Sequence, residues 1–377
     1  MYKIEIKEID ALFELLRGDG YNLIGPVLKD GAVIYDEIES SSDLPIGWTD
    51  EQEPGKYRIN KSGRNTLFEF TCGPQSWKKF LFPTVQKLFE INKEEKNLFF
   101  KPIDEPPKKY AFIGVRACEL NAIQIQDKIF TQGEFIDHSY KKRRENLFII
   151  AVNCTSSKGT CFCTSMNAGP KVNNGYDISL TEVYQDYSHY FISHIGSEIG
   201  KKFIEKINPS TPNEKEIQTA ESLIQTTAAQ MERKIDVSKI EDILFENFEH
   251  PRWDEVAERC MSCANCTMVC PTCFCTTVED ITDLTGTKAE RIRKWDSCFT
   301  LDFSYIHGGS IRNSTKSRYR QWLTHKFASW HKQFESSGCV GCGRCITWCP
   351  VGIDITAEIN AIRETKNIKQ VLIEENQ

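Results

Sequence analysis

Cys260-Met-Ser-Cys263-Ala-Asn-Cys266-Thr-Met-Val-Cys270-Pro271 and Cys339-Val-Gly-Cys342-Gly-Arg-Cys345-Ile-Thr-Trp-Cys349-Pro350 are two copies of one pattern. Three cysteines spaced by two residues can wrap three corners of an iron–sulfur cubane from one tight loop. A fourth, further along, points toward a neighbouring cube, so each run supplies the last ligand of the other's cluster. Proline after the fourth cysteine brings no N–H needing a partner and redirects the chain. The spacing therefore predicts one [4Fe–4S] cluster on Cys260, Cys263, Cys266 and Cys349, and a second on Cys339, Cys342, Cys345 and Cys270. Gly341 and Gly343 are expected to let backbone amides approach the sulfurs. Paired structural zinc sites are the competing reading, because zinc also takes four thiolates from Cys-x-x-Cys units. Two complete runs, each ending in Cys-Pro, weigh against it.

The chain has 377 residues and sixteen cysteines. In a reducing compartment that number points to metal ligation rather than disulfides. Eleven cysteines fall between Cys260 and Cys349, four more are Cys118, Cys154, Cys161 and Cys163, and Cys72 stands apart. A net charge of −6 argues against general affinity for nucleic acid or anionic membrane. No apolar run approaches the roughly 18 residues of a membrane span, and the N-terminus is charged from Lys3 onward, without a signal-peptide core. A cytoplasmic location is the expectation.

Between the two runs lies an insertion, about 271–338, which makes the module larger than a minimal ferredoxin. It holds Cys273, Cys275 and Cys298 and a basic, aromatic stretch in which Arg318, Arg320, Lys326 and Lys332 alternate with Tyr319, Trp322, Phe327 and Trp330. Such interleaving suggests a nucleic-acid surface. The favoured reading is a helix whose aromatic face packs on the module or a partner while its basic residues are solvated.

The first half reads as α/β. Tyr21 to Ile38 has the pattern of a hairpin turning at Asp30-Gly31. Lys109 to Arg116 is apolar enough for a buried strand, Glu119 to Phe130 has helical spacing, and Leu147 to Asn153 forms a second strand. A βαβ unit with parallel strands follows. It sets Cys118 and Cys154 at the carboxyl ends of strands, the edge where open α/β sheets bind ligands. Cys161-Phe-Cys163 and Cys273-Phe-Cys275 are near-identical tripeptides. One expectation is a third [4Fe–4S] cluster on Cys118, Cys154, Cys161 and Cys163. Another joins Cys161 and Cys163 with Cys273 and Cys275, and a third leaves several of them as small buried core residues. Asn213 to Lys234 reads as an exposed helix, and His250-Pro251 marks a boundary. No GxGxxG follows a strand, and Gly196 to Lys201 is one residue short of a Walker loop, so neither nucleotide motif is indicated.

Gly114-Val-Arg-Ala-Cys-Glu119, Asn153-Cys154, Trp295-Asp-Ser-Cys-Phe299, Phe303-Ser-Tyr-Ile-His-Gly-Gly309 and Arg318-Tyr-Arg-Gln-Trp322, with the cysteine runs, resemble the beta subunits of soluble sulfhydrogenases, the cytoplasmic NAD(P)-linked [NiFe] hydrogenases. Similarity to the iron–sulfur subunit of anaerobic sulfite reductase is weaker. The resemblance implies a non-catalytic electron-transfer subunit bound to an NAD(P)H-oxidising flavoprotein and to hydrogenase or sulfite reductase catalytic subunits. The alternative is a chain that itself reduces sulfur or polysulfide. The expected architecture is an α/β domain over 1–249, followed by a mainly helical two-[4Fe–4S] ferredoxin-type domain over 250–377 with the inserted segment.

Overall fold

Strand Leu147–Val152 is apolar throughout because both its faces are covered. Phe148, Ile150 and Val152 enter one core, with Leu12, Phe13 and Phe203, while Ile149 and Ala151 enter another, with Leu120, Ile123 and Phe130. The computed structural model describes residues 1–71, 73–103, 106, 108–185 and 188–364; Cys72 and residues 365–377 lie outside them. Around this strand runs a seven-stranded sheet in the order Tyr2–Glu5, Ser188–Ile195, Ile178–Gln185, Leu147–Val152, Tyr110–Arg116, Asn22–Lys29, Ala32–Glu37. The four from Ile178–Gln185 to Asn22–Lys29 are parallel, and the flanking pairs are antiparallel. Helices Ile6–Gly18 and Glu198–Lys206 cover one face, and helix Ala117–Thr131 covers the other.

The βαβ unit read from the sequence is present: strand Tyr110–Arg116, helix Ala117–Thr131 and strand Leu147–Val152 in parallel register. The hairpin turns at Asp30-Gly31, both at positive φ, as a two-residue connection with right-handed twist demands. The 213–234 segment contributes helix Glu214–Ala229, whose N-cap Asn213 forms a capping box with Glu216.

The C-terminal region mixes helix with strand. Within the insertion, Thr276–Thr282 and Lys288–Trp295 form a hairpin that pairs with strands Val85–Glu94 and Asn97–Pro102 in a four-stranded sheet. Its strands have charged residues at many positions, which hid their alternation in the sequence. The basic aromatic stretch is helical over Thr315–Phe334, with a π-helical turn at His325–Ser329. Tyr319, Trp322, Phe327 and Trp330 are buried, but so is Lys326, at 3% exposure. The expectation that the basic residues of this stretch are solvated fails at that lysine. Among the described residues no helix is long and apolar enough to cross a membrane.

A buried ion pair fastens the second cysteine run to the carboxyl edge of the parallel strands. Glu119, in the first turn of helix Ala117–Thr131, faces Arg344, and both are at most 1% exposed. Glu119 also accepts from Tyr35 Oη at 2.6 Å and Trp77 Nε1 at 3.0 Å, while Arg344 donates to the carbonyls of Gly73 (2.9 Å) and Gln75 (3.1 Å). Beside it, Gln52 Oε1 accepts from Thr160 (2.9 Å) and Thr347 (2.8 Å), and Phe162 N–H donates to Gly341 O at 2.9 Å. The 160–163 segment thus lies flat on the second loop. A Cβ on Gly341 would sit 2.6 Å from Phe162 O, and one on Gly343 would sit 2.4 Å from Thr160 O.

Two outcomes follow for unfolding experiments. Glu119→Ala removes the carboxylate opposite a buried guanidinium and should cost about 3–5 kcal/mol in denaturant unfolding. Gly343→Ala should destabilise by more than the roughly 1–2 kcal/mol of left-handed strain, because backbone stands where the methyl would go. The reverse change at the matching position of the first loop, Ala264→Gly, should shift stability by less than about 1 kcal/mol.

Candidate metal centre

The two cysteine loops have the same backbone. The chain is left-handed at Ser262 and Ala264 in the first (φ 51° and 66°) and at Gly341 and Gly343 in the second (65° and 76°). This curls an amide inward in each: Ser262 N–H donates to Cys260 Sγ at 3.5 Å and Gly341 N–H to Cys339 Sγ at 3.4 Å. The sequence reading tied such amide approach to the glycines. Ser262 makes the same contact with a side chain, so the glycines answer instead to the pressure of the 160–163 segment.

Short helical turns Asn265–Met268 and Arg344–Thr347 carry Cys266 and Cys345 and deliver Cys270 and Cys349 beyond them. Their direction produces the crossing. One cavity is lined by Cys260, Cys263, Cys266 and Cys349, together with Cys345, and a second by Cys270, Cys339, Cys342 and Cys345. Among the described residues no three of His, Cys, Asp or Glu converge as ligands of one bare ion would. Sulfurs at the corners of a cubane stand further apart than sulfurs around a single ion, so the lack of a bare-ion site is compatible with a [4Fe–4S] group in each cavity.

The electrostatics fit the same group. Burial raises the pKa of the Cys266 thiol, and Cys260, Cys349 and Cys263 raise it further; burial also raises Cys345, with Cys339, Cys342 and Cys270 adding to it. Burial pushes Cys339 up to about 12 against the pull of Lys326. Buried thiols such as these resist ionising together, and an iron–sulfur core would supply the positive charge that lets them. Cys270 goes the other way, lowered by a hydrogen bond from Cys273 and by Lys326. Lys326 Nζ lies 3.4 Å from Cys270 Sγ, 3.0 Å from Thr272 Oγ1 and 2.9 Å from Gly338 O. Burial opposes its charge, but the sulfurs of Cys270, Cys273 and Cys339 outweigh burial and hold the pKa of the ammonium well above its ordinary value. Lys78, also buried, donates to the carbonyls of Cys270 and Cys273, both at 2.9 Å.

The further cysteines divide into separate neighbourhoods. Cys118 begins helix Ala117–Thr131, Cys154 follows strand Leu147–Val152, and Cys163 opens a short 3₁₀ turn. Cys118 and Cys163 share a buried cluster against which Cys161 and Cys342 pack, whereas Phe162 points into the C-terminal core. That opposition explains the Cys-Phe-Cys spacing: the ring anchors the segment and both sulfurs face the other way. Cys154 Sγ receives the Arg116 guanidinium at 3.9 Å. In the second tripeptide, Phe274 packs edge-on to Phe130, Trp330 and Phe334. Cys273 hydrogen-bonds to Cys270 and Cys275 to Cys298, pairings that do not favour a joint site with Cys161 and Cys163.

Sequence reasoning missed Lys78, Gln52 and the Glu119–Arg344 pair. Nothing local marks Lys78 or Gln52. Arg344, inside Cys342-Gly-Arg-Cys345, was visible only as a charge between two cysteines.

Residues 259–353 match the 4Fe-4S dicluster domain family. No solved structure matches the chain. Across 367 residues, 96% of this chain and 98% of the relative, it is 27% identical to sulfhydrogenase 2 subunit beta of Pyrococcus furiosus. With 96% of the chain covered, most of the first hundred residues, which no motif anchors, fall within that similarity. The chain carries a 4Fe-4S dicluster domain within a polypeptide that, over almost its whole length, resembles a sulfhydrogenase beta subunit.

Proposed function

We propose that this chain is a one-electron relay, in which Cys260, Cys263, Cys266 and Cys349 hold one [4Fe–4S] cluster and Cys270, Cys339, Cys342 and Cys345 hold the other. It stands between a flavoprotein that oxidises NAD(P)H and the catalytic subunit of a cytoplasmic [NiFe] hydrogenase. The observation that carries the reading is the crossing: each cavity lined by three cysteines of one run is also lined by the last cysteine of the other, Cys345 reaching both. In this reading residues 1–249 are an α/β platform and 250–377 the dicluster unit. Bound there, each cluster supplies a one-electron couple, of low potential where all ligands are thiolates.

The chain's own work is to hold the two rings side by side and to grade their exposure. Cys263 is exposed, and Met261 (65%) and Val351 (38%) give that end an apolar rim suited to a partner. The second ring lies beneath Phe162 and Trp322, both buried. Electrons cross between proteins at the first ring and move inward to the second. Cys118, Cys154, Cys161 and Cys163 extend the relay as ligands of a third cluster, a grouping supported by the meeting of Cys118, Cys161 and Cys163 beside Cys342. A second reading, polysulfide reduction by this chain itself, has one observation behind it: Cys275 and Cys298 line a cavity together with Arg312 and His325.

Anaerobically reconstituted protein should contain about eight irons for the two ring-bound clusters and about twelve with the third. Zinc without acid-labile sulfide would end the proposal. Cys349→Ser lies in the second run, yet it should remove the EPR signal of the cluster held by the first run and leave the other. Loss of the opposite signal would contradict the crossing. The partner-free, reduced chain should show no polysulfide-reducing turnover; steady turnover abolished by Cys298→Ser would favour the second reading.

A further inference from the structure

The two rings match in ligand type and in their amide contacts, but not in the charge buried beside them. In each, an inward amide meets a ring sulfur at nearly the same distance, Ser262 N–H to Cys260 and Gly341 N–H to Cys339. The first ring is otherwise walled by Phe299, Tyr319, Trp322, Ile353 and Ile355, with no cation in its lining. The carboxylate nearby, Glu358, is taken up by Arg252 and Arg259. The second ring has Lys326 in its wall. The three N–H donors of that ammonium have three acceptors: the Cys270 sulfur, Thr272 Oγ1 and Gly338 O. Thr272 is itself fixed, donating to Gly338 O at 2.6 Å, so the cage holds Nζ toward the sulfur. A π-helical turn carries the lysine, a form frequently found at functional sites. Lys78, its ammonium over the Trp295 ring at 3.8 Å, adds a second buried amine on the same side.

On the relay reading above, we infer that Lys326, hydrogen-bonded to the Cys270 sulfur, is a positioning residue that makes the second cluster the easier of the two to reduce. Reduction adds one negative charge to a ring. An ammonium against one of its sulfurs, in a region that water does not screen, stabilises that charge far more than it does the charge on the ring walled by aromatic side chains. An electron delivered at the exposed first ring is therefore drawn inward, and the back-step toward the surface is the unfavourable one.

EPR-monitored redox titration of the full-length, cluster-loaded chain tests this. The wild type should show two midpoints, and the Cys349→Ser variant identifies which belongs to the second ring. Lys326→Met should lower that midpoint so that the electron distribution between the clusters changes at least tenfold, about 59 mV for a one-electron couple. The other midpoint should stay in place, and Lys326→Arg should recover most of the shift. A lysine that only braces the helix would move thermal stability but neither midpoint. If Lys326→Met fails to retain its clusters, Lys78→Met is titrated instead and should lower the same midpoint. Coincident midpoints in the wild type, or loaded variants with unmoved midpoints, overturn this inference alone. A wild-type chain that takes up no cluster overturns the relay itself.

Discussion

The ion pair between Glu119 and Arg344 is the joint on which the arrangement depends. One partner begins the helix that follows a central parallel strand, and the other sits between two cysteines of the second run. Burying two charges is costly unless each is met by its opposite and by further hydrogen bonds, and here both conditions hold. Tyr35 and Trp77 occupy the remaining face of the carboxylate, and backbone carbonyls receive the guanidinium. Such a contact tolerates little displacement, so it fixes the cysteine loop against the sheet edge more sharply than apolar packing does.

Everything near the second ring is organised by that closeness. The 160–163 segment lies on the loop through the Phe162–Gly341 backbone bond and the Thr160, Thr347 and Gln52 network, which leaves no room for a side chain at Gly341 or Gly343. The first loop has the same left-handed turns but faces outward, and it carries Ser262 and Ala264 at the same two positions. Identical backbone geometry with different residues separates two causes of glycine: conformational need, which both loops share, and crowding, which only the second has.

The asymmetry extends to function. An exposed ring with an apolar rim suits exchange with another protein, whereas a ring enclosed by aromatic side chains and a caged ammonium suits storage and onward transfer. A minimal ferredoxin has no insertion from which to supply such a lysine. Here the insertion provides the helix that carries Lys326 and the hairpin ending in Trp295, which stacks under Lys78.

The sequence alone determined what spacing and periodicity encode. Cys-x-x-Cys-x-x-Cys-x-x-x-Cys-Pro is local, and so is the chemistry of thiolates held on one loop; the apolar runs at 110–116 and 147–152 read as buried strands. Tertiary structure decided what depends on residues distant in the chain. Lys78 and Cys270 are far apart in sequence, as are Glu119 and Arg344, and no pattern around either member announces the other. The basic aromatic stretch shows the division within one segment. Its helical form and buried aromatic face were legible from spacing, but the burial of Lys326 was not, because a lysine leaves solvent only where several acceptors converge on its ammonium, and those acceptors come from Cys270, Thr272 and Gly338.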